Sequence, residues 1–244
     1  MKNIFVYIGN HRIKSNTRNY IDKMLKSIKL KHLNVSATVY DVENTKINKC
    51  LGCEKCFSTS NCLLDDTDDM KIIKEKMVES DFIILATPIY AINVSANMKV
   101  FLDRLSSWAH LLALRGKAGI CIATSSGNGV HFTLSYMSTV MSFLGINVID
   151  KYNIFTTVNH TFLDDDFMNK KILEFSNFIE NSINDDSNIQ TNETLEKIFL
   201  NMQKYMKSLE GTNRSEYKYW LKNKMFEFET YSSFLEYEKK KRVN

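Results

Sequence analysis

Short apolar segments alternate with longer amphipathic ones along roughly the first 155 residues, and this alternation constrains the fold more than any other feature of the sequence. The apolar segments predict strands at 3–8, 35–42, 82–86, 117–123 and 147–155. Strands that alternate with helices pair in parallel through right-handed crossovers. The pattern therefore predicts an α/β fold with a doubly wound, five-stranded parallel sheet. Because it alternates in polarity, the second strand is expected near an edge of that sheet.

The amphipathic segments predict helices at about 20–28, 65–79, 98–112, 130–143 and 164–183. We interpret the acidic run from Asp65 to Asp69 as negative charge in a first helical turn, where the macrodipole favours it, rather than as a metal site. Cys121 lies inside the fourth strand and is expected to be a buried core residue.

The last part of the chain predicts a helical extension. Residues 181–192 are rich in Asn, Asp and Ser, which is typical of a linker. An amphipathic helix from Leu195 to Met206 follows, and the aromatic-rich segment 217–237 is expected to pack in some way, either on the domain, over a cofactor or in a dimer. We predict one domain at 1–183, with a cysteine loop at 48–64, and a helical C-terminal extension at 184–244.

Composition excludes several classes of protein. Hydrophobic residues make up 44% and charged residues 25%, the balance of a globular chain, and no apolar run is long enough to span a bilayer. The apolar run at Ile4–Ile8 is too short for a secretion signal, so we expect a cytoplasmic protein. The tail from Lys239 to Arg242 supplies the net charge of +4 and leaves 28 basic and 28 acidic residues. We expect neither a nucleic acid nor a membrane as partner.

In a doubly wound sheet, ligands bind beyond the carboxyl ends of the strands, so the loops there are the candidate site. The first loop, Gly9–Thr17, combines a glycine with hydroxyl and amide side chains before a helix. It suits a phosphate monoester, and it is equally consistent with a plain helix cap. It is neither a GxGxxG nor a Walker loop, which argues against a dinucleotide or a nucleoside triphosphate.

Two further loops are expected at the same edge. Thr87–Ala96 contains the only proline of the chain beside apolar and aromatic residues, and it offers a wall for a flat ring such as an isoalloxazine. Thr124–Gly129 is a small polar loop that a ligand can approach closely. Thr87–Ala96 is also consistent with an ordinary strand-to-helix turn, whereas three such loops at one edge of the sheet are much more specific for a binding site than any one alone.

These loops resemble a known family. The segments Gly9–Thr17, Thr87–Tyr90, Ser95–Lys99 with Phe101–Arg104, and Leu114–Lys117 are similar to the NADPH-dependent FMN reductase family of flavodoxin-like proteins, over roughly residues 1 to 180. The resemblance implies a flavodoxin-like fold, FMN as cofactor, NAD(P)H as co-substrate and assembly as a homodimer or homotetramer. The chain departs from it at Asn10-His11, where many relatives have Ser-Pro.

The same resemblance implies roles for individual residues, although it assigns none to catalysis. Phosphate binding falls to Arg12, Ser15, Asn16 and Thr17. Contacts with the flavin ring fall to Pro88, Ile89, Tyr90, Ala91, Ile92, Asn93, Ser125, Ser126, Gly127, Asn128 and Gly129. His11 and His131, in or next to these loops, are expected to be solvated or to touch FMN or substrate.

Four of the five cysteines fall between positions 50 and 62, in the spacing Cys50-x2-Cys53-x2-Cys56-x5-Cys62. Three thiolates at two-residue gaps with a more distant fourth suit a [4Fe–4S] cluster. Thiol or disulfide chemistry, zinc and simple packing are the alternatives. The spacing is similar to that of the iron–sulfur flavoprotein branch of the family.

Together these features predict an FMN-dependent oxidoreductase that moves electrons from NAD(P)H or a small redox protein to a small-molecule or redox-protein acceptor. A cluster beside the flavin would let it exchange pairs of electrons for single ones. The alternatives are a non-enzymatic electron carrier, a thiol-based redox sensor that uses the four-cysteine loop, and a zinc-stabilised binding module.

Overall fold

Five parallel strands form the centre of the computed structural model, which describes residues 2–12, 14–31, 35–156, 165–184 and 191–243. The strands are β1 (Lys2–Ile8), β2 (Val35–Asp41), β3 (Phe82–Tyr90), β5 (Ala118–Ser125) and β6 (Asn147–Phe155); a sixth, β4 (Asn93–Val94), pairs antiparallel with β3. The order β2-β1-β3-β5-β6 is the flavodoxin-like order, with β2 at an edge. The predicted fold class is therefore confirmed, with one short strand added.

Helices cover both faces of this sheet and continue beyond it. They are α1 (Asn16–Lys31), α2 (Lys55–Thr59), α3 (Met70–Glu79), α4 (Ala96–Asp103), α5 (Ser106–Leu111), α6 (Val130–Phe143), α7 (Asp165–Asn184), α8 (Glu193–Lys207), α9 (Ser215–Lys222) and α10 (Tyr231–Val243), with a 3-10 turn at Met225–Glu227. Among the helices in the described part of the chain, none combines the length and apolar character that crossing a bilayer requires.

The core has two layers because side chains alternate along each strand. In β1, Ile4, Val6 and Ile8 face a layer that includes α1 and α7, whereas Phe5 and Tyr7 face a layer formed with α3, α4 and α6. Cys121 belongs to the second layer and is fully buried, as predicted. Burial of these layers fixes which loops meet at the carboxyl edge of the sheet.

Two predicted helices differ in their bounds. The helix expected at 65–79 begins only at Met70, so the acidic run precedes it, and the interpretation of that run as first-turn charge is wrong. The helix expected at 98–112 is interrupted between α4 and α5, at Arg104 and Leu105. At this break Arg104 reaches back to the acidic run, a long-range contact that helical periodicity does not reveal.

The C-terminal helices α8–α10, which we call the extension, form a third apolar cluster. It is built largely of aromatic residues, including Phe199, Trp220, Tyr231 and Phe234, and it also takes in Leu112 from the end of α5. The Tyr231 hydroxyl donates to the Gly145 carbonyl at 3.0 Å, which joins the extension to the sheet domain. Residues 185–190 of the predicted linker lie outside the described residues, and the division at 183 stays a prediction.

Candidate functional site

The first loop connects β1 to α1 and is organised by hydrogen bonds within itself. Asn10 is buried, and its Nδ2 donates to the Arg12 carbonyl at 2.8 Å and to Ser15 Oγ at 2.5 Å. Ser15 caps α1, because its Oγ also accepts the N–H of Arg18 at 3.0 Å. The helix cap is thus present. The hydroxyl proton of Ser15 and the N–H groups of the first turn are the donors that a phosphate would use.

The loop after β3 is a hairpin rather than an open turn. β4 pairs Val94 with Ile89 and Asn93 with Tyr90, and the two residues between the strands, Ala91 and Ile92, have φ angles of 48° and 68°. Left-handed backbone of this kind costs an L-residue roughly 1–2 kcal/mol. Such residues persist where the surroundings fix them, and they cluster at ligand sites. The hairpin tip therefore depends on its surroundings to keep this conformation at the candidate site.

Hydrogen bonds tie the three loops to one another. Thr17, in the first turn of α1, and Thr124, at the end of β5, are both buried, and their hydroxyls lie 2.6 Å apart. Ser95, the cap of α4, donates its hydroxyl hydrogen to the carbonyl of Gly9. The first loop is thereby joined both to the segment after β3 and to the end of β5.

The hairpin tip also packs on the loop after β5. A Cβ added at Gly129 would lie 2.7 Å from the Cα of Ile92, so only glycine permits this approach, and its φ of +87° requires the same residue. Thr133, in the first turn of α6, donates to the Ile92 carbonyl at 3.4 Å. The three loops therefore form one rim at the carboxyl edge of the sheet.

All of the residues predicted to bind the cofactor lie on this rim. The exposed ones are Arg12, Tyr90, Ala91, Ile92, Asn93, Ser126, Gly127 and Asn128; Ser15, Asn16, Pro88, Ile89 and Gly129 are half-buried, and Thr17 and Ser125 are buried. Thr17 directs its hydroxyl to Thr124 rather than to the rim surface. His11 and His131 are exposed. The individual roles stay predictions.

Open space and unused polar atoms at the rim fit a polar ligand. A Cβ at Gly127 would meet nothing within 4 Å, so this loop leaves room beside its backbone. Asn153 Nδ2, near the end of β6, is buried, and among the described residues no group accepts a hydrogen bond from it. Buried polar atoms normally have partners, and an unpaired donor beside an open loop is consistent with one supplied by a ligand.

The cysteine loop is clamped at its base by Arg104. The Arg104 side chain is fully buried and donates to the Asn48 carbonyl at 2.9 Å, to Asp65 at 2.8 Å and to Asp68. Burial acts to lower the pKa of Arg104, but its hydrogen bonds to the two aspartates outweigh that and raise it. The acidic run therefore serves as the set of acceptors that attaches the loop to the end of α4.

The four thiols of the loop differ in exposure. Cys50 and Cys53 are exposed, whereas Cys56 and Cys62 are half-buried. Burial raises the pKa of Cys56, as do the nearby thiols of Cys62 and Cys50, and a hydrogen bond with Ser107 partly opposes the rise. Cys50 also interacts electrostatically with Lys99 of α4, the helix that begins at the rim. This interaction puts the loop near the first turns of α4, and its place beside the flavin stays a prediction.

The thiols are near one another without forming a finished metal site. Within the described residues, no three Cys, His, Asp or Glu side chains are close enough to hold a metal ion. Cys56 nevertheless interacts electrostatically with Cys62 and with Cys50, so these three thiols lie in one region of the loop. Four thiols on one loop are the donor set that iron–sulfur clusters use, so the residues fit such a group by their chemistry.

Several residues inside the predicted candidate segments organise the site, although the sequence assigned them no role. Ser95, Asn97 and Thr124 tie the loops together, and Arg104 holds the cysteine loop. Arg104 did have a signal in the sequence, because it is the one arginine in the predicted apolar helix 98–112. The acidic run Asp65–Asp69 has no basic residue immediately before it and so needs a cation from elsewhere. The hydroxyl pairs left no comparable signal, because their partners are distant in sequence.

By sequence, the chain is similar to a known protein family and to individual relatives. The family model described as NADPH-dependent FMN reductase matches residues 2–160. The chain is 34% identical over 140 residues to an iron–sulfur flavoprotein of Archaeoglobus fulgidus, covering 57% of this chain and 62% of that protein. It is 32% identical over 123 residues to an iron–sulfur flavoprotein of Methanocaldococcus jannaschii, covering 50% and 61%. It thus spans about three fifths of the length of these relatives.

Solved structures share the fold at low sequence identity. An NADH:FMN oxidoreductase in its apo form superposes with a TM-score of 0.54 at 18% identity, over 78% of this chain and 94% of that one. A flavone reductase gives a TM-score of 0.57 at 14% identity, over 78% and 66%. At these identities the likeness supports the fold alone.

Proposed function

We propose, since this chain belongs to the NADPH-dependent FMN reductase family, that it is an FMN-dependent oxidoreductase that takes electrons from NAD(P)H or from a small redox protein. The observation that supports this most is the rim, in which Thr17–Thr124 and Ser95–Gly9 hydrogen bonds bring three loops together. Its electron acceptor, in this proposal, is a small molecule or a redox protein.

Different residues of the rim would contact the phosphate and the ring of FMN. Ser15 and the N–H groups that begin α1 would bind the phosphate, with the cation of Arg12 nearby. The hairpin from Pro88 to Asn93 and the loop from Ser125 to Gly129 would flank the ring. When bound, FMN accepts a hydride as two electrons and releases them one at a time. The protein positions and shields it.

A titration with FMN, followed by the quenching of flavin fluorescence, tests this site. We expect saturable binding with one FMN per chain. Riboflavin, which lacks the phosphate, is the matched control, and it should bind more weakly because it loses the contacts with the first loop. Protein that takes up neither compound would contradict the proposal. Anaerobic addition of NADPH or NADH then tests the donor, since loss of flavin absorbance reports its reduction.

We further propose that Cys50, Cys53, Cys56 and Cys62 hold a [4Fe–4S] cluster. Support comes from the set of four thiols, from the electrostatic interactions among three of them and from the similarity to iron–sulfur flavoproteins. A thiol must lose its proton to bind iron, so the raised pKa of Cys56 predicts weaker assembly of the cluster at low pH. Anaerobic reconstitution with iron and sulfide analysis tests the cluster, with Cys121→Ser as the control that removes a thiol outside the loop.

A second candidate function is a thiol-based redox sensor or an electron carrier without turnover. The exposure of Cys50 and Cys53 favours it, because accessible thiols can be oxidised or exchange disulfides. Electron paramagnetic resonance of the reduced protein separates the candidates. A reducible cluster without NAD(P)H turnover supports a carrier, and reversible thiol oxidation without iron supports a sensor.

Assembly as a homodimer or homotetramer is part of the proposal. Exposed apolar side chains support it: Tyr90 and Ile92 on the rim are 47% and 56% exposed, and Phe132 in α6 is 65% exposed. Exposed apolar groups that lie together commonly mark an interface or a ligand site. Light scattering coupled to size exclusion measures the assembly, and a monomer at all concentrations would contradict this part.

A further inference from the structure

The extension touches the cysteine loop at the residue that follows the third cysteine. Ser215, the first residue of α9, donates its hydroxyl hydrogen to the carbonyl of Phe57 at 3.0 Å, across 158 positions of the sequence. The guanidinium of Arg214 lies 5.7 Å from the centre of the Phe57 ring. Phe57 stands next to Cys56 on α2, so these contacts act on the backbone that carries that thiol.

His110 of α5 completes the surroundings of Phe57. Its ring centre lies 4.8 Å from that of Phe57 and 5.4 Å from that of Tyr205 on α8. The indole N–H of Trp220 donates to the His110 carbonyl at 2.8 Å, which attaches α9 to α5. Phe57 is thus packed against side chains from the domain and from the extension together.

Helix α2 needs such support, because it has little stability of its own. It spans five residues, far fewer than a helix requires to persist in water. Glu54 and Ser60, which flank it, have φ angles of 57° and 67°, and the cap has no side-chain hydrogen bond. Two left-handed non-glycine residues each cost roughly 1–2 kcal/mol, so tertiary contacts must hold the helix in this conformation.

We propose that the extension is a positioning element for the cysteine loop, in which Ser215 and Arg214, together with His110 of the domain, hold α2 and so fix the position of Cys56. The positioning of Cys56 stands on these contacts alone, whereas its importance for a cluster rests on the proposed function. Cys50 and Cys53 lie outside α2 and are exposed, so the extension acts on Cys56 rather than on these two thiols.

Alkylation of the metal-free protein tests the positioning without any cofactor. Each cysteine is followed separately by mass spectrometry after brief exposure to iodoacetamide. We expect Ser215→Ala to raise the alkylation rate of Cys56 about fivefold, the effect of losing one ordinary hydrogen bond, and to leave the rate of Cys50 unchanged. Ser215→Thr keeps the hydroxyl and should restore the wild-type rate.

Ser208→Ala is the matched control, because the Ser208 hydroxyl makes a similar bond within the extension, to the Tyr205 carbonyl at 2.7 Å, and none to the cysteine loop. It should leave the rate of Cys56 unchanged. Phe57→Leu is a second variant, which removes the ring and should also expose Cys56. Equal rates for Cys56 in wild type, Ser215→Ala and Phe57→Leu would overturn the proposal, as would an equal increase in Ser208→Ala.

A second measurement separates this inference from the proposed cluster. After reconstitution, we expect Ser215→Ala to shift the midpoint potential of the cluster and Ser215→Thr to restore it, whereas Ser208→Ala should leave the potential unchanged. Protein that binds no iron but shows the predicted alkylation rates would refute the cluster and keep the positioning role. Protein that binds iron with the same potential and the same Cys56 rate in all variants would refute the positioning role alone.

Discussion

Arg104 joins the cysteine loop to the sheet domain, and its side chain is completely buried, which determines how it affects stability. Its guanidinium has Asp65, Asp68 and the Asn48 carbonyl as acceptors, and Lys74 donates to the other oxygen of Asp65 at 2.6 Å. Two cations and two carboxylates thus compensate one another with little access to water. A buried pair of this kind adds little net stability compared with apolar packing, but breaking it leaves an uncompensated charge.

Removing Arg104 should therefore destabilise the whole domain. We expect Arg104→Met to lower the free energy of unfolding by about 3–5 kcal/mol, because Asp68 would remain buried without its cation. The midpoint of urea unfolding measures the change. Lys71→Met is the control, since Lys71 forms an exposed pair with Asp66, and it should leave the midpoint unchanged. Equal effects of both variants would show that Arg104 is not a clamp.

Asp68 gives the same cluster a dependence on pH. Burial acts to raise the pKa of Asp68, but hydrogen bonds from Arg104 and from the backbone N–H groups of Asn48 and Met70 outweigh it, so the pKa lies below its ordinary value of 3.8. The stabilisation is therefore fully present above that ordinary value and is lost as the pH falls through the lowered pKa. We expect the thermal midpoint of the wild type to decline below about pH 4. Asp68→Asn should lose the part of this decline that comes from Asp68, whereas Asp66→Asn should keep it.

At the scale of elements, the contact between the hairpin tip and the loop after β5 determines the shape of the rim. Gly129→Ala would place a methyl group 2.7 Å from the Cα of Ile92 on a backbone with φ of +87°. The left-handed conformation alone costs roughly 1–2 kcal/mol, and displacement of the hairpin adds to it. We expect a lower thermal midpoint together with weaker FMN binding.

Gly127→Ala should separate the two effects. The added methyl group meets nothing within 4 Å in the protein, so the thermal midpoint should stay at the wild-type value. FMN binding should still weaken, because the methyl group takes up space that a ligand at this loop would occupy. Calorimetric titration with FMN measures the affinity of both variants. Unchanged affinity in Gly127→Ala would mean that this loop does not contact the flavin.

The elements that were predictable from sequence are those whose signal is local. The five strands and the edge position of β2 follow from runs such as Ile4–Ile8 and from alternating polarity. The break at Arg104, the late start of α3 and the hairpin at Ala91–Ile92 depend on contacts between distant residues, as in the pair of Arg104 with Asp68. Alanine and isoleucine are unusual in a turn with positive φ at both positions, so the hairpin had no turn signal. The rim was predictable as a set of loops, and the hydrogen bonds that join them were not.

At the scale of the whole molecule, the extension and the sheet domain are coupled through specific contacts. Leu112 of the domain is buried in the apolar cluster of the extension. Arg115, which follows α5, pairs with Glu238 of α10 at 2.9 Å and lies 5.4 Å from the centre of the Phe234 ring. Burial of shared apolar surface makes the folding of one part depend on the other. The extension therefore supports the cysteine loop only as long as this coupling persists.

The two tryptophans allow the coupling to be measured, because Trp108 lies in the domain and Trp220 in the extension. We expect the single-tryptophan variants Trp220→Phe and Trp108→Phe each to show fluorescence and far-ultraviolet circular dichroism transitions that coincide in urea, since coupled parts unfold together. Arg115→Met, combined with Trp108→Phe, removes the cation that the domain contributes and leaves the carboxylate of Glu238 without its partner. In that variant the Trp220 transition should move to lower urea than the circular dichroism transition. An extension that unfolds first even with Arg115 present would be too loosely attached to hold Phe57, and Cys56 would then depend on the domain contacts from Ser107 and His110.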